Sequence, residues 1–304
     1  MKAVGAGSSW RGRCGDRQVG NTGVMNAPAS FPTSSVEPLA PRLLDRLVPV
    51  SPQWRIPPRK AERLGWLQLL LGILVVLGAQ MIVGLLAAAA GLVRLGAGGT
   101  TVARPGVAFV VAISAVPLTV LGYWLLVRFV GGRPVIELGG RGAALREFLV
   151  GLAMGALLMG AVIAVLALLG SYHVVDVGWS TGILVGLQAG IVAGFTEEIL
   201  VRGVMLRLIE GWLGTWWALA ITAVFFGAAH LGNPQATVFG AVAIALEAGI
   251  LLGACYLLTR RLWLAIGLHA AWNFVQGGIF GSDISGTGSG PVSYTHLRAH
   301  ETPE

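Results

Sequence analysis

The chain has 304 residues, 55% of them hydrophobic and only 12% charged, with a mean hydropathy of +0.76. A soluble domain carries about 25% charged residues, so this composition excludes an ordinary cytoplasmic enzyme and a disordered regulator. The net charge of +7 gathers beside apolar runs, with ten of the 21 Lys and Arg in residues 1–64; that is a membrane topology pattern rather than a nucleic-acid footprint.

Residues 1–60 are rich in Gly, Ser, Pro and Arg and show no apolar periodicity, so they are expected to form a disordered basic tail, with Met25 as an alternative start. They lack the compact apolar stretch and small-residue cleavage site of a secretory signal. Cys14 and Cys255 supply neither a disulfide framework nor a metal-ligand spacing. The membrane domain is expected over 61–282. After Arg59, Lys60 and Arg63 the first uncharged run extends from Trp66 to Val93, longer than the roughly 20 residues that cross a bilayer core. Further spans are predicted at Val107–Val127 with a kink at Pro117, Phe148–Gly170, Gly178–Trp212, Thr215–Leu231, Thr237–Thr259 and Leu262–Phe280. The fold class is therefore an all-α polytopic transmembrane bundle of about seven helices.

Loop charges order these spans. The loop with Arg128, Arg133, Arg141 and Arg146 is the most basic and is assigned to the cytoplasm, together with Arg260, Arg261 and the N-terminus. Ser171–Ser180 holds Asp176 and no Lys or Arg, so it falls outside; Arg94 and Arg104 run against the rule. The protein is placed in the plasma (inner) membrane. From 283 to 304 a flexible tail is expected. Its last part, SYTHLRAHETPE, reads as translated sequencing-adapter sequence, which would mean that the natural chain continues past about Gly290 into a further helix.

Ionisable side chains inside a bilayer cost about 2.5–3.5 kcal/mol each at the centre of a span, so each needs a reason. Glu198 and Arg202 are four apart and share a helix face where they can pair. Glu197 lies about 100° round the helix and looks elsewhere. Adjacent carboxylates in a low dielectric do not both ionise freely, the condition under which one serves as a proton-transferring base. The alternative is a buried ion-pair brace between helices. Phe226 and His230 share a face of the fifth run, and Asn233-Pro234 should end or kink that helix. His269 and Asn273, again four apart, offer an imidazole and an amide suited either to a developing oxyanion or to interhelical hydrogen bonding. Helical rise brings all these positions to intermediate depth, so one cavity can hold them.

The ordered motifs Glu197-Glu198-x-x-x-Arg202, Phe226-x-x-x-His230 and His269-x-x-x-Asn273 resemble those of the CPBP family, the CAAX-processing and bacteriocin-processing intramembrane proteases. The resemblance covers about residues 145–280 and includes the stretch Gly267-Leu-His-Ala-Ala-Trp-Asn-Phe274; the family's terminal helix is absent or replaced. It implies hydrolysis of membrane-associated peptides or proteins within the bilayer, without nucleic acid as a partner. Glu197 is then general base for water held with His230, Glu198 and Arg202 brace the site, and His269 and Asn273 stabilise the oxyanion. Zinc is left open: Glu197, His230 and His269 make a two-histidine, one-glutamate set, but no His-Glu-x-x-His helix supports it. Two other readings stand beside this one. In a non-catalytic scaffold or bacteriocin self-immunity protein the motif residues only brace helices. In a proton-coupled transporter Glu247 would join the glutamate pair as a relay, although no repeat of broken helices in two halves accompanies it.

Overall fold

The computed structural model describes residues 64–95, 101–102, 104–174 and 177–288. The expected tail over 1–60, Asp176 and the stretch from 289 onward lie outside the described residues. Among these, seven helices follow one another in alternating direction: α1 Gly65–Ala89, α2 Pro105–Val130, α3 Arg141–Leu168, α4 Gly182–Leu213, α5 Thr215–Gly232, α6 Val238–Thr259 and α7 Trp263–Asn273, the last continued by a wider turn over Phe274–Ile279. The only pairing of extended chain among them is a two-residue antiparallel ladder, Arg94 with Val102 and Leu95 with Thr101. The protein is an all-α polytopic bundle.

Six helices, α1 to α6, are long and apolar enough to cross a membrane. The predicted seventh span is shorter than expected, with 11 α-helical residues and six in the wider turn. α7 is instead the sheathed centre. Every residue from Leu264 to Ala271 is buried, and α3 and α4 press on it through glycines. A Cβ on Gly155 of α3 would stand 2.2 Å from the Leu268 carbonyl oxygen, and one on Gly190 of α4 would stand 2.4 Å from that of Ala270. Such contacts exist only where a side chain is missing, and they set backbones close in the absence of a hydrophobic drive between helices. The outer faces carry Leu70, Leu77, Leu85, Leu157, Leu168 and Phe239, all exposed, as a lipid-facing surface requires.

Some boundaries differ from the sequence expectation, and at α3 the reason is that charge does not end a helix at a membrane rim. α3 starts at Arg141 rather than Phe148, so Arg146 and Glu147 are helical rather than in a loop. Glu147, fully buried, accepts from Arg261. Arg133 donates to Glu137 at 2.6 Å, and Arg260 pairs with Glu210. Arg207 reaches Gln68 on α1 at 3.0 Å. These contacts place the ends of α1, α2, α3, α4, α6 and α7 at one polar rim, the arrangement that the basic loops demand. α1 stops short of Val93 because the chain turns at Gly91, φ 69°, and α4 opens at Gly182, four residues later than expected. α2 runs unbroken in helical assignment through Pro117. Gly214, φ 84°, alone joins α4 to α5.

Residues 280–288, beyond α7, return over the bundle. Asn233 donates to the Ser285 carbonyl at 2.7 Å, Gln235 N–H donates to that of Gly286 at 2.8 Å, and Ile284 is buried. Packing therefore continues past 282, through the first residues of the stretch expected as tail.

Candidate active site

On α4 the small residues Gly186, Gly190 and Gly194 recur every fourth position on the face against α7, and the next two members of that row are Glu198 and Arg202. The row explains which glutamate turns inward. Both side chains of the pair are fully buried, and Arg202 Nη1 donates to Glu198 Oε1 at 2.7 Å. Its other terminal nitrogen, Nη2, donates to the carbonyls of Ala248 and Gly249 at 2.9 and 3.2 Å. Those carbonyls belong to a wider, i→i+5 turn over Ala245–Gly249 within α6. Similar turns follow Glu198 on α4, taking in Arg202 (Ile199–Leu206), and Asn273 on α7 (Phe274–Ile279). Such interruptions concentrate at functional sites, where they free and re-aim backbone groups.

Glu198 Oε1 also faces His269 Nδ1 at 2.8 Å. A carboxylate can only accept, so Nδ1 carries the hydrogen and Nε2 is turned to the site. From there Nε2 lies 4.0 Å from Glu197 Oε2. His230 is oriented in the same way: Nδ1 donates to the Phe226 carbonyl at 2.7 Å, which leaves Nε2 as an acceptor when the ring is neutral. Phe226 is the hub of this cluster. Its ring centroid lies 4.9 Å from that of His230 and 6.0 Å from that of His269, each in an edge-on arrangement, and 4.6 Å from Arg202 Cζ. The Arg202 contact is a cation–π pair.

The two remaining motif residues, Glu197 and Asn273, make no hydrogen bond among the described residues. Glu197, side chain 36% exposed, has no hydrogen-bond partner at Oε2. The Asn273 amide is buried and makes no hydrogen bond among the described residues. Two cavities adjoin here. One, of about 410 Å³, is lined by Glu197, His230, Asn273, Ile284 and Ser285; the other, of about 210 Å³, by His230, His269, Asn273 and Glu247. Phe226, His230, Asn273 and Ser285 belong to both.

All six predicted site residues thus meet in one region. Among the described residues no group of three His, Cys, Asp or Glu side chains, the candidate set of Glu197, His230 and His269 included, is gathered closely enough to hold a metal ion. Three features escaped the sequence reading. The Glu198–His269 bond joins helices 71 positions apart, the Ala248 and Gly249 carbonyls offer no side-chain signal, and Ser285 was assigned to the tail. The Asn233-Pro234 break, by contrast, was legible and does lie next to the cavity.

This is the site of a membrane-embedded bundle whose polar residues converge from three successive motifs. Residues 179–275, about a third of the chain, match the family described as type II CAAX prenyl endopeptidase Rce1-like. The match takes in all three motifs, agrees with the CPBP resemblance, and supports a CAAX-type intramembrane protease at the level of the family. No curated protein and no solved structure matches the chain.

Proposed function

We propose that this protein is an intramembrane endopeptidase that hydrolyses membrane-associated peptides or proteins with a glutamate-activated water. The observation that carries the reading is the division of labour between neighbours. Glu198 is fully buried with its Oε1 held by Arg202 and His269, whereas the Glu197 side chain is 36% exposed, lines the cavity and makes no hydrogen bond among the described residues. In this reading a water lies between Glu197 and His230 Nε2, which accepts one of its hydrogens. Glu197 takes the other proton as the oxygen attacks the scissile carbonyl carbon. The Asn273 amide is a donor in every protonation state and is the constant partner for the oxyanion; His269 adds a second donor from Nε2 only as imidazolium. Collapse of the tetrahedral species breaks the C–N bond, and Glu197 returns its proton to the leaving amine. No step is routed through a metal.

Glu197→Gln keeps the shape of the side chain and removes its capacity to accept a proton. Purified Glu197→Gln in lipid nanodiscs should lose cleavage of a membrane peptide by at least a factor of ~10³ while melting within a few degrees of the parent. Retained cleavage would show that another group is the base. Absence of cleavage by the parent protein across a broad membrane-peptide panel would favour the scaffold reading.

A further inference from the structure

Glu247 is an ionisable residue within a spanning helix that the three motifs leave unused. It sits on the Ala245–Gly249 turn of α6, the same turn whose last two carbonyls hold Arg202. Its side chain is exposed, makes no hydrogen bond or ion pair among the described residues, and lines the cavity of about 210 Å³ beside His230, His269 and Asn273. Ile163 of α3, Leu251 and Leu252 of α6, and Trp272 of α7 supply apolar wall, and Gln276, Ser282 and Ser285 add uncharged polar groups. Among the described residues no lysine or arginine lines this cavity. An unpaired carboxylate at this depth is costly and marks a functional position unless a partner arrives, and none of the described residues supplies one.

We infer that this cavity is a specificity subsite for a basic substrate side chain, with Glu247 as its counter-ion. The inference rests on the proteolytic reading, because it places the subsite next to the scissile bond. A lysine or arginine suits the cavity in both its parts. The aliphatic stem packs along Ile163, Leu251 and Leu252, as such stems do on apolar surfaces. The cationic head reaches the carboxylate, and Trp272, which lines the same cavity, offers a ring for a second attraction of the cation–π type. An acidic side chain would meet a like charge in a low dielectric and be rejected. A leucine would fill the walls and leave Glu247 without a partner. The same logic, one carboxylate in a pocket that holds no cation of its own, selects basic residues in soluble proteases. It differs from the bracing role of Glu198, whose cation is supplied internally.

The test uses full-length protein in nanodiscs and a set of membrane peptides that differ at one position flanking the cleaved bond: Lys, Arg, Leu, Gln or Glu. Two readouts separate the inference from the reading beneath it. The first is kcat/KM for each peptide. The second is the Kd of the same peptides for Glu197→Gln protein, with and without Glu247→Gln, which needs no catalysis. The Lys and Arg peptides should be favoured over Leu by about tenfold or more in both readouts, a difference of about 1.4 kcal/mol. In Glu247→Gln that ratio should fall to about one, in Glu247→Asp it should persist, and in Glu247→Lys the Glu peptide should become the preferred one. Equal binding of Lys and Leu peptides to the Glu197→Gln protein, or a preference that survives Glu247→Gln, overturns the inference whether or not cleavage is seen. Cleavage absent for every peptide, with the binding preference intact, overturns the proteolytic reading instead.

Discussion

Glu197 and Glu198 are adjacent in sequence, yet one is sealed with its Oε1 doubly paired while the other is 36% exposed and lines a cavity. Burying a charge is tolerable only with its partner, and removal of one partner typically costs about 3–5 kcal/mol because the other stays behind uncompensated. Glu198→Gln and Arg202→Gln should therefore each lower the melting temperature sharply, and the double variant should regain part of the loss. Strictly additive losses in that cycle would contradict the pairing. The i,i+4 spacing made this pair legible from sequence alone, and it also separated Glu197 from it. His269 was legible as a site residue but not as a ligand of Glu198, because nothing local links positions on two helices so far apart in the chain. The same geometry bears on metal. Both histidines present Nε2, the arrangement metal ligands also adopt, but no three donors are gathered. Activity of tag-free protein should therefore survive dialysis against a strong chelator. Stoichiometric zinc whose removal abolishes cleavage and whose return restores it would replace water activation by Glu197 alone with a metal-assisted version.

The helices hold this cluster by close approach more than by volume. Gly190 meets α7 with no room for a methyl group, since its Cβ would stand 2.4 Å from a backbone oxygen that cannot rotate away. Gly190→Ala should separate α4 from α7 and cost about 1–3 kcal/mol, the usual range for overpacking. It should also reduce kcat by around 10²-fold, since a misplacement of about 1 Å has that effect on a catalytic array and the Glu198–His269 contact spans this interface. Gly84→Ala on α1 is the control. Nothing lies within 4 Å of its Cβ position, so it should be neutral or raise stability by up to about 1 kcal/mol through helix propensity. Equal behaviour of the two variants in thermal melts and assays would refute a packing role for the glycine row. The row was available in the sequence as Gly at every fourth position, and only the structure shows that its partner is α7. The wider turns after Glu198 and Asn273 left no sequence trace, because they arise from contacts between helices and not from propensity.

Across the whole molecule, apolar runs, their order and most helix ends were legible to within a few residues, while the start of α3 was not, because charged residues continue that helix into a shared rim. That rim is where topology is decided. Arg133, Arg260 and Arg261 are each paired with a glutamate there, Arg207 bonds Gln68, and Arg128 and Arg146 are exposed. At the opposite end, Arg94 and Arg104 are exposed next to the ladder, and His173 lies in the connection between α3 and α4. Positive-inside asymmetry counts Lys and Arg near span ends and gives little weight to acidic residues, so the glutamate partners do not cancel the bias of the first end. The rim is accordingly expected in the cytoplasm, with His173 outside. Cysteine labelling decides this directly. Cys255 is buried, so once Cys14 is changed to serine, a membrane-impermeant maleimide reports only an introduced thiol. Arg128→Cys should label in inside-out vesicles and stay silent in sealed right-side-out ones, while His173→Cys should do the reverse. The opposite pattern for both would invert the bundle, and it would show that Arg94 and Arg104 outweigh the larger rim.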